Sequence, residues 1–222
     1  MPELPEAETL VRGLRPLLPG RTVRRTRVHH ADVLRVPAAA FRAGMVGRRI
    51  TGVGRRAKNV VLTLDDGDAF LVVNLGMTGG LVPRGFPDVN PPPPTHPALA
   101  FTLDAGRSLV FDDTRRFGCV ELLDAAAWAE RSARMGPEPL EPGYAWQDLH
   151  AALQRSRSPL RNWLLDQRRI AGVGNIYASE PASARESTPP VQPTRSRRRR
   201  PVPCTAGSAT SSGPPSATGG RP

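Results

Sequence analysis

The sequence predicts an α+β fold, in which an N-terminal helix and a β-sandwich precede a short helical segment and a disordered tail. Three observations carry that reading. Short β-rich runs recur between turn signals from residue 21 to residue 123, the apolar spacing turns helical after MGPEPLEP, and large apolar residues stop after residue 180.

The opening MPELPEAETL sets a question, because termini usually fray and this one carries two prolines and three glutamates within nine residues. From Glu6 to Leu18 the residues Ala7, Leu10, Val11, Leu14 and Leu18 repeat at helical spacing, with Gly20 as a stop. The runs RTVRRTRV, RRITGVG, NVVLTL, AFLVVNL, LAFTL, SLVFDD and CVELL follow, punctuated by DDGD, RGFPD and DAGR. Many short strands separated in this way predict packed sheets. The PPPP run at 91–94 cannot donate ladder hydrogen bonds and reads as an extended loop. The sandwich domain is therefore placed at residues 1–131 and a helical domain at 132–180, with helices at 145–154 and 159–167. In AGVGNIYASE, Gly172 and Gly174 bracket a tight turn, and Asn175 is expected to cap a helix starting at Ile176.

Residues 181–222 hold nine prolines and no Leu, Ile, Phe, Met, Trp or Tyr, so they offer nothing from which to build a core. The RSRRRR run within them suits a nucleic-acid tail or a localisation signal. The abrupt change of composition inside a starting helix fits better with GC-rich DNA read in a shifted frame from about Glu180.

The chain has 222 residues and a net charge of +11, which favours a polyanionic partner such as nucleic acid or an acidic membrane surface. Thirty of its 31 basic residues are arginine, and Lys58 is its one lysine. Arginine suits planar phosphate contacts, whereas lysine can lose its proton and act in chemistry. Two cysteines, Cys119 and Cys204, are too few for a disulfide framework or a four-cysteine zinc site, which points to a reducing compartment. Glu3, Glu6 and Glu8 occupy the place of a secretory apolar region, and no apolar stretch reaches the ~18 residues of a membrane span. A soluble, cytoplasmic protein is expected.

Chemistry concentrates in four stretches. Removal of Met1 would expose Pro2 as a secondary amine, and an α-amino group titrates near pH ~8, well below a lysine. Attack by such an amine on an aldehyde-level carbon gives an iminium that cannot lose a proton from nitrogen and stays an electron sink. Glu3 beside it can protonate a leaving group. RRAKNVVL sets Lys58 at the start of an apolar strand, where partial burial lowers an ammonium pKa. NLGMTGGL places Met77 on a glycine-rich turn, and DDTRRFGCV sets paired arginines beside Phe117.

MPELPEAET, RRAKNVV, LGMTG, DDTRRFG, MGPEPL and LLDQRRIAGVGNIYASE together resemble the formamidopyrimidine-DNA glycosylase family, in its order across residues 1–180. The opening PELPE resembles the branch that acts on oxidised purines. The resemblance implies a base-excision repair enzyme that removes 8-oxoguanine or formamidopyrimidines and then cleaves the strand, after taking the damaged nucleotide out of the stack. It implies that Pro2 attacks C1′ and holds the sugar as a Schiff base, that Glu3 is the general acid, and that Lys58 donates a proton in the β-elimination. Met77, Arg115 and Phe117 would fill the void, with Arg115 addressing the orphaned cytosine. His96, Arg155, Arg157, Arg161 and Asn175 would contact DNA, Asn175 at the helix N-terminus of a partial helix-two-turn-helix domain. Glu6 would line the lesion pocket.

Family members continue into further helices and a C-terminal four-cysteine zinc finger that carries the arginine of δ-elimination, whereas this chain has no CxxC pair. The expectation is therefore a monomer on double-stranded DNA with oxidised purines or abasic sites, without cofactor, and impaired by truncation. Trp146, Leu149, Trp163, Leu164, Ile170 and Ile176 should lack their full partners. A non-catalytic nucleic-acid binder and an inactive pseudogene product are the alternatives.

Overall fold

Helix α1 (Leu4–Leu14) buries Leu4, Ala7, Val11 and Leu14 along one face. It starts two residues ahead of the expected Glu6, because Pro5 sits in the first turn, where no amide needs a partner. It stops short of the expected Leu18 because Pro16 has no N–H for the Arg12 carbonyl. Leu18 still reaches the core, as its amide turns back to the Leu14 carbonyl at 3.1 Å. The computed structural model of the chain describes residues 2–186, which lie in one unit spanning Met1–Thr188.

Eight described strands follow: β1 (Val23–Val28), β2 (Ile50–Arg56), β3 (Asn59–Leu64), β4 (Ala69–Asn74), β5 (Gly79–Arg84), β6 (Pro97–Leu103), β7 (Ser108–Asp113) and β8 (Cys119–Asp124). They form two four-stranded antiparallel sheets, ordered β1-β6-β7-β5 and β2-β3-β4-β8. Seven of them coincide with runs seen in the sequence. The eighth, β5, opens with two glycines and contains Pro83, and so carries no strand signal. It lies at a sheet edge with Pro83 opposite Leu109, where a missing N–H is tolerated. Helix α2 (Ala38–Met45) was equally unforeseen, and it buries Phe41 and Met45 at i,i+4 spacing. Phe41, Phe101, Phe111, Leu62 and Leu71 fill the main core, and burial of aliphatic and aromatic side chains at roughly 1.5–3 kcal/mol each holds such a sandwich together.

Asp124 caps helix α3 (Ala125–Ala133) by accepting the Ala127 amide at 2.8 Å, and Trp128 stacks on Phe70 at 5.8 Å between ring centres. The domain boundary expected at residue 131 falls inside this helix. Helices α4 (Trp146–Gln154) and α5 (Leu160–Leu165) match the two helical expectations. Helix α6 (Asn175–Glu186) starts one residue before the expected Ile176 and runs six residues past Glu180, where the composition changes. A second, small core of Trp163, Leu164, Ile170 and Ala178 forms, with Leu149 packed against it. The expectation of unpartnered apolar faces holds for Trp146 and Ile176, which are 71% and 48% exposed, but not for Trp163, Leu164 and Ile170, which are buried. The residues of the tail beyond 186, with Cys204 and the RSRRRR run, lie outside the described residues.

Candidate active site and nucleic-acid face

Glu3 is fully buried, and its carboxylate reaches across the molecule to the start of α6. Oε2 accepts the Gly174 amide at 2.8 Å and the Tyr177 amide at 3.4 Å, and Oε1 accepts the Ile176 amide at 2.9 Å. A helix N-terminus leaves its first amides without intrahelical partners and carries the positive end of the macrodipole. Here a carboxylate 171 residues away in sequence supplies what a local cap would normally supply. Asn175 is accordingly the first residue of the helix rather than its cap, and its Oδ1 accepts from Arg161 Nη2 at 2.9 Å. The Leu4 amide donates to the Gly172 carbonyl at 3.1 Å, a second tie between the N-terminal segment and the same loop.

Glycine is required at both positions of that loop. Gly172 has φ +88°, and a Cβ there would lie 2.5 Å from Leu4 Cδ1. A Cβ on Gly174 would lie 2.5 Å from Glu3 Oε1 and 2.6 Å from Lys58 Nζ, so the acid and the one lysine converge on this residue. Gln167 clasps the loop from behind. Its Oε1 accepts the Gly172 amide at 2.8 Å, and its Nε2 donates to the Val173 carbonyl at 2.8 Å.

Lys58 stands on the two-residue turn between β2 and β3, one residue ahead of the strand that it was expected to open. Burial lowers its pKa from the ordinary lysine value, and the nearby Glu3 charge opposes that in part. The turn is pinned by Glu138 of the MGPEPL segment. Glu138 accepts the Ala57 amide at 2.5 Å, Arg56 Nη1 at 2.8 Å, and Arg55 Nη1. Arg55 also donates to Glu8 of α1 at 2.9 Å, and Arg56 donates to the Met135 carbonyl at 2.7 Å. Burial alone would raise the Glu138 carboxyl, but the Ala57 amide and the two guanidinium groups outweigh it and hold its pKa below the ordinary value.

Pro2 heads this segment and is partly exposed. Glu6, read from the sequence as a pocket residue, completes half of a capping box: its Oε2 accepts the Glu3 amide at 2.8 Å, and its Oε1 accepts the Tyr177 hydroxyl at 3.4 Å. Burial pushes its carboxyl up, but the backbone amides and Tyr177 hold it below the ordinary range.

Met77, Arg115 and Phe117 meet at the adjoining end of the sandwich. Met77 is 37% exposed and Phe117 is 60% exposed, and the Arg115 guanidinium lies over the Phe117 ring at 4.6 Å. The turn before Met77 abuts the other loop directly, since a Cβ on Gly76 would lie 2.5 Å from the Phe117 carbonyl carbon. The exposed His96 is held nearby, because its amide donates to Asp112 Oδ1 at 2.6 Å and its Nδ1 lies 3.2 Å from the Thr114 hydroxyl. Buried Asp113, next on β7, accepts from the loops that carry Met77 and Arg115. Sequence reasoning passed over Asp112, Asp113, Glu138 and Gln167, although each falls within or beside the quoted blocks DDTRRFG, MGPEPL and LLDQRRIAGVGN.

Arg155 and Arg157 line an open surface hollow of about 700 Å³ with Arg169 and Trp163. Arg161 instead pairs with Asn175, as described above. Because Glu3 takes the amides of Gly174, Ile176 and Tyr177, these are not free to meet an anion from outside. Among the described residues no cluster of three His, Cys, Asp or Glu could hold a metal ion, and Cys119 is buried with its thiol toward Glu121 at 3.6 Å.

Two outcomes follow from this geometry. Gly174→Ala forces a methyl group into Glu3 and Lys58, and is expected to cost about 1–3 kcal/mol in denaturant unfolding, as overpacking does. Glu138→Gln leaves Arg55 with Glu8 alone and takes the carboxylate partner from Arg56, and is expected to cost about 1.5–3 kcal/mol near neutral pH, as loss of a hydrogen-bonded charged partner does. Because the folded pKa of Glu138 lies below its unfolded value near 4.5, the wild-type advantage is present above that value. It disappears as pH falls through the folded pKa, which unfolding curves between about pH 7 and pH 3 would display.

The Formamidopyrimidine-DNA glycosylase N-terminal domain profile matches residues 1–120, and the Formamidopyrimidine-DNA glycosylase H2TH domain profile matches residues 135–189. Among curated proteins, the chain is 44% identical over 181 residues to the formamidopyrimidine-DNA glycosylase of Chloroflexus aggregans, covering 81% of this chain and 64% of that one. It is 44% identical over 186 residues to that of Moorella thermoacetica, covering 81% and 65%. The chain thus spans a little under two thirds of the length of these relatives. Among solved structures, it is similar to Lactococcus lactis Fpg in complex with abasic-site DNA, at a TM-score of 0.69 and 27% identity over 80% of this chain and 65% of that one. A complex of the same protein with N7-benzyl-Fapy-dG DNA gives a TM-score of 0.70 at 27% identity, covering 81% and 65%. With the sandwich, the helical segment and the Glu3-bound loop all in place, the chain belongs to the formamidopyrimidine-DNA glycosylase family.

Proposed function

We propose that this chain carries the catalytic centre of a base-excision DNA glycosylase and abasic-site lyase acting on oxidised purines, with double-stranded DNA as its partner and a monomer as its working form. The observation that carries the reading is the convergence of Lys58 and of Glu3, the residue after Pro2, on Gly174. A nucleophile at a chain end is useful only if that end is held, and Glu3 holds it.

In this reading the Pro2 nitrogen, freed by removal of Met1, attacks C1′ of the deoxyribose. The C1′–base bond breaks as the Pro2 nitrogen loses its proton, which Glu3 relays to the departing base; the C1′–O4′ bond then opens, O4′ takes a proton from solvent, and the ring-opened sugar remains as an iminium on Pro2. Loss of the C2′ proton then expels the 3′ phosphate, and Lys58, whose burial eases proton release, supplies a proton in that elimination. Met77, Phe117 and Arg115 occupy the gap left by the extruded nucleotide, while His96, Arg155, Arg157, Arg161 and Asn175 meet the backbone. Glu6 borders the lesion pocket through the same contacts that fix Glu3 and Tyr177.

The steps run on the chain's own terminal amine and side chains, without a cofactor. DNA affinity in this reading is built from many phosphate contacts, each of which weakens as salt is raised. No described helix is long and apolar enough to cross a membrane. The bacterial relatives support a place beside the nucleoid in the cytoplasm.

Borohydride trapping tests the reading. Folded protein lacking Met1 is expected to give a covalent band with duplexes carrying 8-oxoguanine opposite cytosine or an abasic site. The band should vanish in Pro2→Gly, and strand cleavage should fall by about 10²–10⁴ in Lys58→Met, the usual size of a lost proton-transfer group. No band on either duplex would contradict the proposal and favour a non-catalytic binder.

A further inference from the structure

Asp113 is a buried carboxylate at the end of β7 that makes no ion pair among the described residues. Its bonds all come from the two loops at that end of the sandwich. Oδ1 accepts the Thr78 hydroxyl at 2.5 Å and the Arg115 amide at 3.3 Å, and Oδ2 accepts the Gly118 amide at 2.8 Å. The Thr78 hydroxyl in turn accepts the Arg115 amide at 3.1 Å. One carboxylate therefore ties the residue after Met77 to the residues on either side of Phe117. The fit leaves no slack, since a Cβ on Gly118 would lie 2.9 Å from Asp113 Oδ2 and 2.6 Å from Phe111 Cζ.

Resting on the DNA-glycosylase reading above, we propose that Asp113 is a positioning residue that locks the Met77 turn and the Arg115–Phe117 loop into one rigid wedge. Two separate loops would each lose conformational freedom on entering a base stack, whereas a preassembled pair has already lost it. The bonds to a buried charged acceptor suit this task, because they are stronger than neutral ones and fix direction. Asp113 touches no DNA in this account and acts through the groups it holds. Its neighbour Asp112 serves His96 in the same way through the adjacent loop, accepting the Thr95 amide at 3.2 Å and the His96 amide at 2.6 Å. Consecutive strand residues point to opposite faces, which lets two adjacent acids organise two different loops.

The test uses the full chain with Asp113→Asn, Thr78→Val and Thr78→Ser. The Thr78 side chain is exposed, so its variants are expected to fold even if Asp113→Asn does not. In hydrogen exchange on the free protein, Asp113→Asn should speed the Arg115 and Gly118 amides by about tenfold or more, the effect of one lost hydrogen bond to a charged group. Thr78→Val should do so at Arg115, Thr78→Ser should restore protection, and β3 and β4 should not change. Unchanged Arg115 exchange in Thr78→Val would overturn the proposal.

A second arm places 2-aminopurine opposite a tetrahydrofuran abasic analogue, which cannot be cleaved. The wild type and Thr78→Ser should raise its fluorescence at saturating protein, while Thr78→Val and Asp113→Asn should lose most of that rise. Equal fluorescence in all variants, or none in the wild type, would also overturn it. Borohydride trapping in parallel reports on the catalytic reading alone, so the two can fail separately.

Discussion

The bond between the Glu3 carboxylate and the first amides of α6 is the constraint on which the rest of the site depends. It joins the extreme N-terminus to a loop near the end of the described chain, with partners 171 residues apart. Without it, Pro2 would sit on a fraying end, α6 would begin with unsatisfied amides inside the protein, and Lys58 would face no fixed charge. The arrangement explains the acidic, proline-spaced opening: Pro5 starts the helix, Glu6 holds the Glu3 amide, and Glu3 itself is spent on the distant loop.

Around that bond the structure trades side chains for closeness. Gly172 and Gly174 let the loop touch Leu4, Glu3 and Lys58, and Gly76 and Gly118 let the wedge loops touch each other. Charged residues do the holding in both places. Glu138 with Arg55 and Arg56 fixes the turn beneath Lys58, and Asp113 fixes the loops bearing Met77 and Phe117. The paired charges around Glu138 contribute little net stability compared with apolar packing, but removing one partner is costly, which makes them devices of position.

Much of this was legible in the sequence. Short β-rich runs between turn signals marked seven strands, and helical spacing marked α1, α4 and α5. What escaped has physical reasons. Strand β5 is masked by its two opening glycines and Pro83, which an edge position tolerates, and α2 is too short to show a period. Asn175 looked like a cap because local sequence cannot reveal that a carboxylate from the other end of the chain takes that role. Pro2, Glu3 and Lys58 stood out as a terminal amine, its neighbouring acid and a solitary lysine, but it was the family resemblance of the surrounding blocks that gave them roles. The supporting acids did not stand out, because Asp113 and Glu138 look like any surface acid until the fold buries them.

The most direct measurement is hydrogen exchange at the Gly174, Ile176 and Tyr177 amides, in the wild type and in Glu3→Ala. If Glu3 caps α6, all three should exchange about tenfold or more faster in the variant, the effect of a lost hydrogen bond to a charged group, while the amides of β3 keep their protection. Exchange at the three amides that is the same in both proteins would contradict a Glu3 cap.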